Sequence, residues 1–432
     1  MDSYSTLKIG PKFAAALDGK TIYKPDDGRL MKVKPPKQNN GMNASQDLLL
    51  AFHDFQSESV RGGTKNVSDI CGFEVWYDHE ELEFCYFTPS QKREIHYRQQ
   101  IDGHFRGCQI ETREDWFLSV EEGDYVTGGE VWLNKHYFEP IRSVESDGWD
   151  DPYLMLFSEL HTRDDTRTLF QMMFQPAEPN WTKTRYENVE AYGESMQSTK
   201  TKKSFYGLGP EVEIEPSKPE KDYASRVLNQ AGRPAFYVNI RYVVVSPDEK
   251  QARRHAKNIA KRLEVGYQSV NSQTLITHPV TNEWDCGELI RKIASREPTN
   301  MNRVRGYVPD MKNHRSVDKR KQMIMTIPEI SGVMHMPTQK DVNLSAISWT
   351  DIPVEGTLPH NAKRFKRLTH EERVRQLTRH ERAQQQILKE FGIGTGAREL
   401  HDEHPKDSRY DQREVFEAGI DAAESTLDGD SQ

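Results

Sequence analysis

The chain has 432 residues, of which 35% are hydrophobic and 29% are charged, and its formal net charge is −8. A chain of this length is expected to hold two or more domains, and its polar composition predicts folded modules separated by solvated segments, not one compact enzyme. The negative net charge does not indicate a general nucleic-acid-binding protein.

Cellular location can also be predicted from composition. The N-terminal segment lacks the apolar core of a signal peptide, and no run of about 18 apolar residues occurs anywhere in the chain. The four cysteines are far apart and show no CxxC spacing, which predicts reduced thiols in an intracellular protein. We therefore expect a soluble cytoplasmic protein that reaches the inner face of the cell membrane only through partners.

The first elements in chain order are predicted from turn residues and apolar clusters. Residues 1–44 are rich in Lys, Gly, Pro and Asn and predict a polar arm with at most a strand or two. The segment SQDLLLAFHDF that follows predicts a helix capped by Ser45. Residues 73–87, FEVWYDHEELEFCYF, have two aromatic halves around a polar centre, which predicts a β-hairpin.

Two later stretches share one order of structural signals. Residues 85–112 predict a strand, a helix with Thr88 as its cap and Pro89 in its first turn, and a second strand. Residues 243–277 repeat this order with Ser246 and Pro247. We therefore predict an α+β fold with two ferredoxin-like β–α–β modules, while chance similarity of two ordinary β–α turns stays open as the alternative.

The chain is predicted to divide into segments of different composition. A helix that begins at Thr369 has Glu372 in capping-box spacing and is rich in basic residues, whereas the residues after it are acidic. The predicted segments are a polar arm (1–44), a first α+β module (45–177), a long polar linker (178–232), a second α+β module with a connecting segment (233–350), a basic helical region (351–398) and an acidic disordered tail (399–432).

The motifs of common catalytic sites are not recognisable in this sequence. The segment RGGTKNVS lacks the Gly-x4-Gly-Lys spacing of a phosphate-binding loop, and GIGTGARE ends in Ala-Arg where Lys-Ser/Thr is required. The run HDEH at 401–404 is predicted to be solvated and not a metal site. No Ser/His/Asp or Cys/His set occurs in a recognisable context. We therefore predict a non-enzyme without cofactor or metal; an enzyme whose site combines scattered residues is the alternative.

Two basic surfaces are candidates for contact with nucleic-acid phosphates. Their charges also fit the solvated side of an amphipathic helix, which is the plainer interpretation. The candidate residues are Arg253, Arg254, Lys257, Lys261 and Arg262 on the second predicted module's helix, and Lys363, Arg364, Lys366 and Arg367 before the C-terminal helix.

The C-terminal helix carries a broken apolar stripe that is predicted to dock a partner. Polar residues interrupt its heptad-like spacing, so a long autonomous coiled coil is not expected. The stripe consists of Val374, Leu377, Leu388 and Phe391.

Several segments, in this order, resemble one region of a known protein family. They are FEVWYDHEELEFCYFTPSQKREIHYRQQIDGHF (73–105), DPYLMLFSELHTRDDTRTLFQMMFQPAEPNW (151–181), AFYVNIRYVVVSPDEKQARRHAKNIAKRLE (235–264), IPEISGVMHMPT (327–338) and AISW (346–349). They resemble the amino-terminal, non-ATPase part of archaeal and actinobacterial conjugal-transfer proteins. In that family such modules precede a HerA/FtsK-like ATPase of type IV secretion and DNA-transfer systems. The resemblance covers roughly residues 45–350 and rests on segment order, not on a catalytic signature.

The resemblance implies a function and a set of partners. Because no ATPase follows Trp349 in this sequence, it implies a non-catalytic accessory subunit of a DNA-transfer or type IV secretion-like apparatus on a mobile genetic element, docking a HerA/FtsK-like ATPase in trans. It implies that Pro328–Pro337 connects the modules to the ATPase; a buried helical turn is the alternative. A plasmid- or virus-encoded DNA-binding protein is the alternative function, and homo-oligomer formation is a further expectation.

Overall fold

The computed structural model describes residues 4–18, 27–60, 63–78, 80–146, 148–161, 165–183, 188–202, 212–269, 272–298, 304–306, 323–339 and 345–350. The strands are β1 (Leu7–Lys8), β2 (Arg29–Lys34), β3 (Ser57–Val60), β4 (Gly63–Asn66), β5 (Cys71–Asp78), β6 (Glu81–Thr88), β7 (Gln109–Arg113), β8 (Tyr125–Leu133), β9 (Arg167–Pro176), β10 (Lys200–Lys202), β11 (Val212–Ile214), β12 (Ala235–Ser246), β13 (Leu275–Pro279), β14 (Val304–Gly306) and β15 (Met323–Thr326). The helices are α1 (Pro11–Asp18), α2 (Gly41–Phe52), α3 (Gln91–His104), α4 (Pro152–Leu160), α5 (Val189–Gln197), α6 (Lys218–Leu228), α7 (Glu249–Gly266), α8 (Glu283–Ala294) and α9 (Ile327–Val333).

One large antiparallel sheet organises the described fold. Its strand order is β7-β2-β6-β5-β9-β12-β8-β1; β13 also pairs with β8, and β15 pairs with the start of β12. Two smaller sheets consist of β10 with β11, and of β14, β4 and β3. This arrangement, with helices packed on the sheet, confirms the predicted α+β class.

Both predicted β–α–β stretches are present, and each has another strand between its two strands. Strands β6 and β7, joined by α3, both pair with β2, so that Lys32 lies between Cys85 and Glu111. Strands β12 and β13, joined by α7, both pair with β8. The intervening strands come from elsewhere in the chain, and β2 belongs to the segment predicted as a polar arm.

The helix caps differ from those predicted. Thr88 and Ser246 are the last residues of β6 and β12, and the caps lie two residues further on. Ser90 accepts a hydrogen bond from the Arg93 amide, and Asp248 accepts from the amides at the start of α7. The predicted cap Ser45 lies within α2, which already begins at Gly41.

The two predicted modules share the sheet. Strand β9, which ends the first module, pairs with β12, which begins the second, from Phe236↔Pro176 to Val245↔Arg167. The segment predicted as a linker holds α5, β10, β11 and α6, and it places Val189 and Tyr223 in the core. The sheet therefore has no break at the predicted module boundaries, and the described residues belong to one compact unit.

The sheet buries both of its faces because successive side chains of a strand point to opposite sides. On the first face, Phe170 and Ile240 pack under α2, α3, α4, α7 and α9. On the second face, Leu169 and Val243 pack under α8, α1 and the segment around Trp116. Strands β5 and β12 are buried along their whole length, as expected for strands covered on both faces.

The segment proposed to connect to an ATPase is buried in the described fold. Strand β15 pairs with β12, and α9 follows it directly. Gly332 lies against the Trp149 ring, where an added Cβ would be 3.1 Å from the nearest ring carbon, and its carbonyl accepts a hydrogen bond from the Tyr267 hydroxyl. Helix α9 ends at Val333, four residues before Pro337. The segment therefore packs as a buried helical turn, the alternative stated in the sequence analysis.

Candidate polar binding site on helix α7

Helix α7 carries the cations predicted to contact phosphate, and its geometry follows from its sequence. Ala252, Ala256, Ile259 and Leu263 repeat at helical spacing and are buried against the sheet. At its N-terminus the Asp248 carboxylate accepts hydrogen bonds from the amides of the first turn, and these bonds lower the pKa of that carboxyl. The cap and the buried stripe together fix which side chains α7 exposes.

Two of the predicted phosphate-contact residues are engaged by carboxylates. The Arg253 guanidinium donates to Glu249 one turn earlier, at 2.5 Å. The Arg262 Nε donates to Glu159 of α4 at 2.8 Å. Because each of these cations already has an acidic partner, both are weaker candidates for phosphate contact than the sequence predicts.

The other three predicted residues of α7 are exposed to solvent. They are Arg254, Lys257 and Lys261. Within the described part of the chain, none of the three forms an ion pair. The structure therefore reduces the predicted basic face of five residues to a smaller set of three.

A polar pocket of about 270 Å³ opens beside Arg254. Its α7 side is formed by Gln251, Arg254, His255 and Asn258, which follow one another at helical spacing on one side of the helix. Of these four, only Arg254 was predicted from the sequence; Gln251, His255 and Asn258 were not, because amide and imidazole side chains lack the charge pattern used there.

The opposite wall of the pocket comes from α4 and from the segment just before β9. It contains Ser158, Glu159 and Thr166. Glu159 is the carboxylate that Arg262 contacts, and His255 is buried with its Nε2 3.1 Å from the Thr168 hydroxyl. The sequence does not indicate this wall, because its residues come close to α7 only when α4 packs on α7.

The pocket combines one cation with several neutral hydrogen-bonding groups. The Arg254 guanidinium, two side-chain amides and two hydroxyls line it, and its carboxylate is already paired. Such a lining suits a small polar or anionic ligand. Across the described ranges, no group of three or more His, Cys, Asp or Glu side chains could hold a metal ion.

Ionisable groups that are buried outside this pocket are either paired within the fold or kept neutral by burial. Arg296 and Glu74 form an ion pair with no exposed side-chain surface, and Glu74 also accepts from Trp76 and Gln171. Burial raises the pKa of the Cys71 and Cys286 thiols to about 12. These thiols are neutral at physiological pH and therefore weak nucleophiles.

The second predicted basic surface and the predicted docking stripe lie outside the described residues. They are Lys363, Arg364, Lys366, Arg367, Val374, Leu377, Leu388 and Phe391. The described helices include none that is long and apolar enough to cross a membrane.

Comparison with protein families shows how much of the chain one family model covers. The model of a family described as "Domain of unknown function (DUF8128)" matches residues 4–350. The chain belongs to this family. The match covers every strand and helix described above, including α7 and its pocket. No curated protein matches the chain. Because the family description gives no function, a function has to be argued from the site itself.

Proposed function

We propose that this protein is a non-catalytic accessory component of a DNA-transfer or type IV secretion-like apparatus that docks a separate HerA/FtsK-like P-loop ATPase. The supporting observation is the spatial arrangement of the segments that resemble conjugal-transfer proteins. Strands β6, β5, β9 and β12 are consecutive neighbours in the sheet. The AISW segment contacts this block where the Leu82 amide donates to the Ala346 carbonyl. The resemblance thus falls on one contiguous structural block.

The finer fold assignment is part of the same proposal. Each β–α–β stretch encloses a third strand, β2 in the first and β8 in the second. An enclosed strand between two parallel ones is a feature of ferredoxin-like modules. We propose that two such modules fused side by side through the β9–β12 pairing.

The proposed docking surface is the outer side of α4 and α7. Met155 of α4 is 51% exposed and Val265 of α7 is 61% exposed. The two helices pack closely, since a Cβ added at Gly266 would lie 2.6 Å from Pro152. The exposed Lys261 gives this side of α7 a positive charge. A partner with an apolar patch and acidic residues at its rim would complement it, and that partner is the ATPase. The predicted stripe at Val374, Leu377, Leu388 and Phe391 is the second docking element of the proposal.

The proposed partner also implies a cellular location for the chain. Attachment to a membrane-bound ATPase would hold the chain at the inner face of the cell membrane. Several copies of the chain would then surround a ring-shaped ATPase, and we expect the homo-oligomer to form in this way.

A binding experiment with a HerA/FtsK-like P-loop ATPase from the same source organism tests the proposal. The full-length chain should co-sediment with the ATPase and should not hydrolyse ATP alone. Replacing Met155 and Val265 with Asp should weaken the complex. Ile95→Asp is the matched control, because Ile95 is 65% exposed on α3. Hydrolysis of ATP by the isolated chain at motor-like rates, or the absence of any complex, would overturn the proposal.

Direct DNA binding is the second candidate function, and the exposed cations of α7 favour it. Arg254, Lys257 and Lys261 could neutralise up to three phosphates, so the logarithm of the duplex-binding constant should fall with the logarithm of salt concentration at a slope of about −2 to −3. Replacing the three with Gln should abolish binding at low salt. Unchanged binding by this triple variant would exclude α7 as the DNA-binding surface.

A further inference from the structure

The pocket beside α7 is lined by hydrogen-bond donors from two helices. Gln251, Arg254 and Asn258 approach it from α7, and Ser158 approaches it from α4. A guanidinium offers five N–H donors and each amide offers two, whereas a hydroxyl can donate once. Among the described residues that line the pocket, Glu159 alone carries a carboxylate.

The charge in the pocket is positive when these partners are taken into account. The Nε of Arg262 lies 2.8 Å from Glu159 Oε1, so the negative charge of Glu159 is compensated by a residue outside the pocket lining. Arg254 is exposed, and the described residues provide it with no ion pair. An anion entering the pocket would therefore meet a guanidinium that has no ion pair among the described residues, although Asp248 is within its electrostatic reach. It would also meet a carboxylate that is already paired with Arg262.

We propose that this pocket binds the phosphate group of a small phosphorylated molecule, with Arg254 as the principal contact. A guanidinium can donate two parallel hydrogen bonds to a phosphate, which makes arginine a common phosphate ligand. The volume of about 270 Å³ is near the lower limit of small-molecule pockets, about 300 Å³, which favours a compact ligand of nucleoside-monophosphate size. Neither of the proposed docking residues, Met155 and Val265, lines this pocket.

A calorimetric titration of the full-length chain tests this proposal. The probes are inorganic phosphate, adenosine monophosphate and a single-stranded oligonucleotide, since a phosphate can come from a free molecule or from a nucleic-acid backbone. The variants are Arg254→Gln and its matched control Lys257→Gln. Both residues are exposed on α7, and of the two Arg254 alone lines the pocket. Thermal unfolding of both variants should match that of the wild type.

The expected result is saturable one-to-one binding of phosphate and of adenosine monophosphate. Arg254→Gln should weaken it at least about tenfold, the effect of losing a hydrogen bond to a charged group, and Lys257→Gln should change it less than about twofold. Arg254→Lys should retain part of the affinity, because it keeps the charge without the two-donor geometry.

Three results would overturn the proposal. The first is the absence of saturable binding of either small probe in the millimolar range. The second is an equal loss of phosphate affinity in Arg254→Gln and Lys257→Gln. The third is that only the oligonucleotide binds, and that its binding depends on salt concentration. The outcome is independent of ATPase docking: Arg254→Gln should leave co-sedimentation unchanged, and the Asp variants at 155 and 265 should leave phosphate binding unchanged.

Discussion

The buried pair of Arg296 and Glu74 shows how one residue can control the stability of the sheet's second face. Arg296 contacts both carboxylate oxygens of Glu74, at 3.0 and 2.9 Å, and it also donates to the Trp116 carbonyl. Arg296→Met removes these bonds and leaves the buried Glu74 carboxylate without its ion-pair partner, so that only the more indirect charges of Arg241 and Arg113 act on it. We expect a loss of about 3–5 kcal/mol in the free energy of unfolding, measured by denaturant titration.

Arg291→Met is the matched control for this substitution. Arg291 contacts Glu288 and Glu297 near the end of α8, but its pairs are partly exposed to solvent. Exposed pairs contribute about 0–1 kcal/mol, so this variant should remain close to the wild type. If both variants lost the same free energy of unfolding, burial of the unpaired Glu74 charge would not be the cause of the destabilisation.

Glu329 makes the stability of the fold depend on pH near neutrality. Burial raises the pKa of this carboxyl from an ordinary value of 4.5 to about 7, against the opposing hydrogen bonds from Thr326 and Ile141. The native state therefore binds a proton that the unfolded state has already released. Stability should decrease as pH rises from about 4.5 to about 7, by about 2–3 kcal/mol in total.

The variant Glu329→Gln should remove this part of the pH dependence, measured as the free energy of unfolding at several pH values. Glu220→Gln is the control, because Glu220 has the same capping-box role in α6 but is exposed, so its charge carries no burial penalty. A wild-type protein that becomes more stable between pH 5 and 7, with no change in slope in the Glu329→Gln variant, would contradict the assignment.

At the scale of elements, Gly128 sets how closely β8 approaches β12. A Cβ at this position would lie 2.2 Å from the Tyr242 carbonyl oxygen, which is backbone and cannot move aside. Gly128→Ala should therefore destabilise the fold by about 1–3 kcal/mol or more. Gly287→Ala should do the opposite by about 0.5–1 kcal/mol, since Gly287 lies inside α8 with no atom within 4 Å of the added Cβ.

The unfolding temperatures of the two alanine variants measure both effects: the steric clash between strands at Gly128 and the gain in helix propensity at Gly287. If Gly128→Ala matched the wild type, the pairing of β8 with β12 would be incorrect at the register Tyr242↔Gly129 and Val243↔Gly128. A destabilised Gly287→Ala would show instead that α8 is packed against a neighbour at that position.

Local signals predicted the elements better than their partners. A Thr-Pro or Ser-Pro pair after a strand indicated α3 and α7, and aromatic residues on either side of a polar centre indicated the hairpin of β5 and β6. The caps were placed two residues early because Thr88 and Ser246 continue their strands. The position of β2 between β6 and β7 could not be read from RLMKVK, a short polar-looking stretch whose pairing depends on distant residues.

At the scale of the whole molecule, the sheet predicts cooperative unfolding of residues 4–350. Strands β9 and β12 pair along their length, although the sequence placed them in different modules. Each predicted module alone would expose one of these buried strands. We expect one unfolding transition for the sheet and no independent folding of 45–177 or 233–350, measured by circular dichroism and near-ultraviolet signals. Two separated transitions would contradict a shared core.

The candidate site could be predicted from the sequence only in part. The helix side with Arg254, Lys257 and Lys261 was found by its charge, because exposed cations repeat at helical spacing. The pocket was not found, because Ser158 and Thr166 reach it only when α4 packs on α7. The docking surface likewise depends on which apolar residues remain exposed after folding, and that is set by the sheet and its helices together.

Hydrogen exchange of the full-length chain, with and without a HerA/FtsK-like P-loop ATPase from the same source organism, tests the central claim of a docking subunit most directly. The account predicts slower exchange on binding in α4, Pro152–Leu160, and in α7, Glu249–Gly266, with no change in α3, Gln91–His104. Binding that leaves α4 and α7 unchanged and protects only α3 or the second face of the sheet would contradict it.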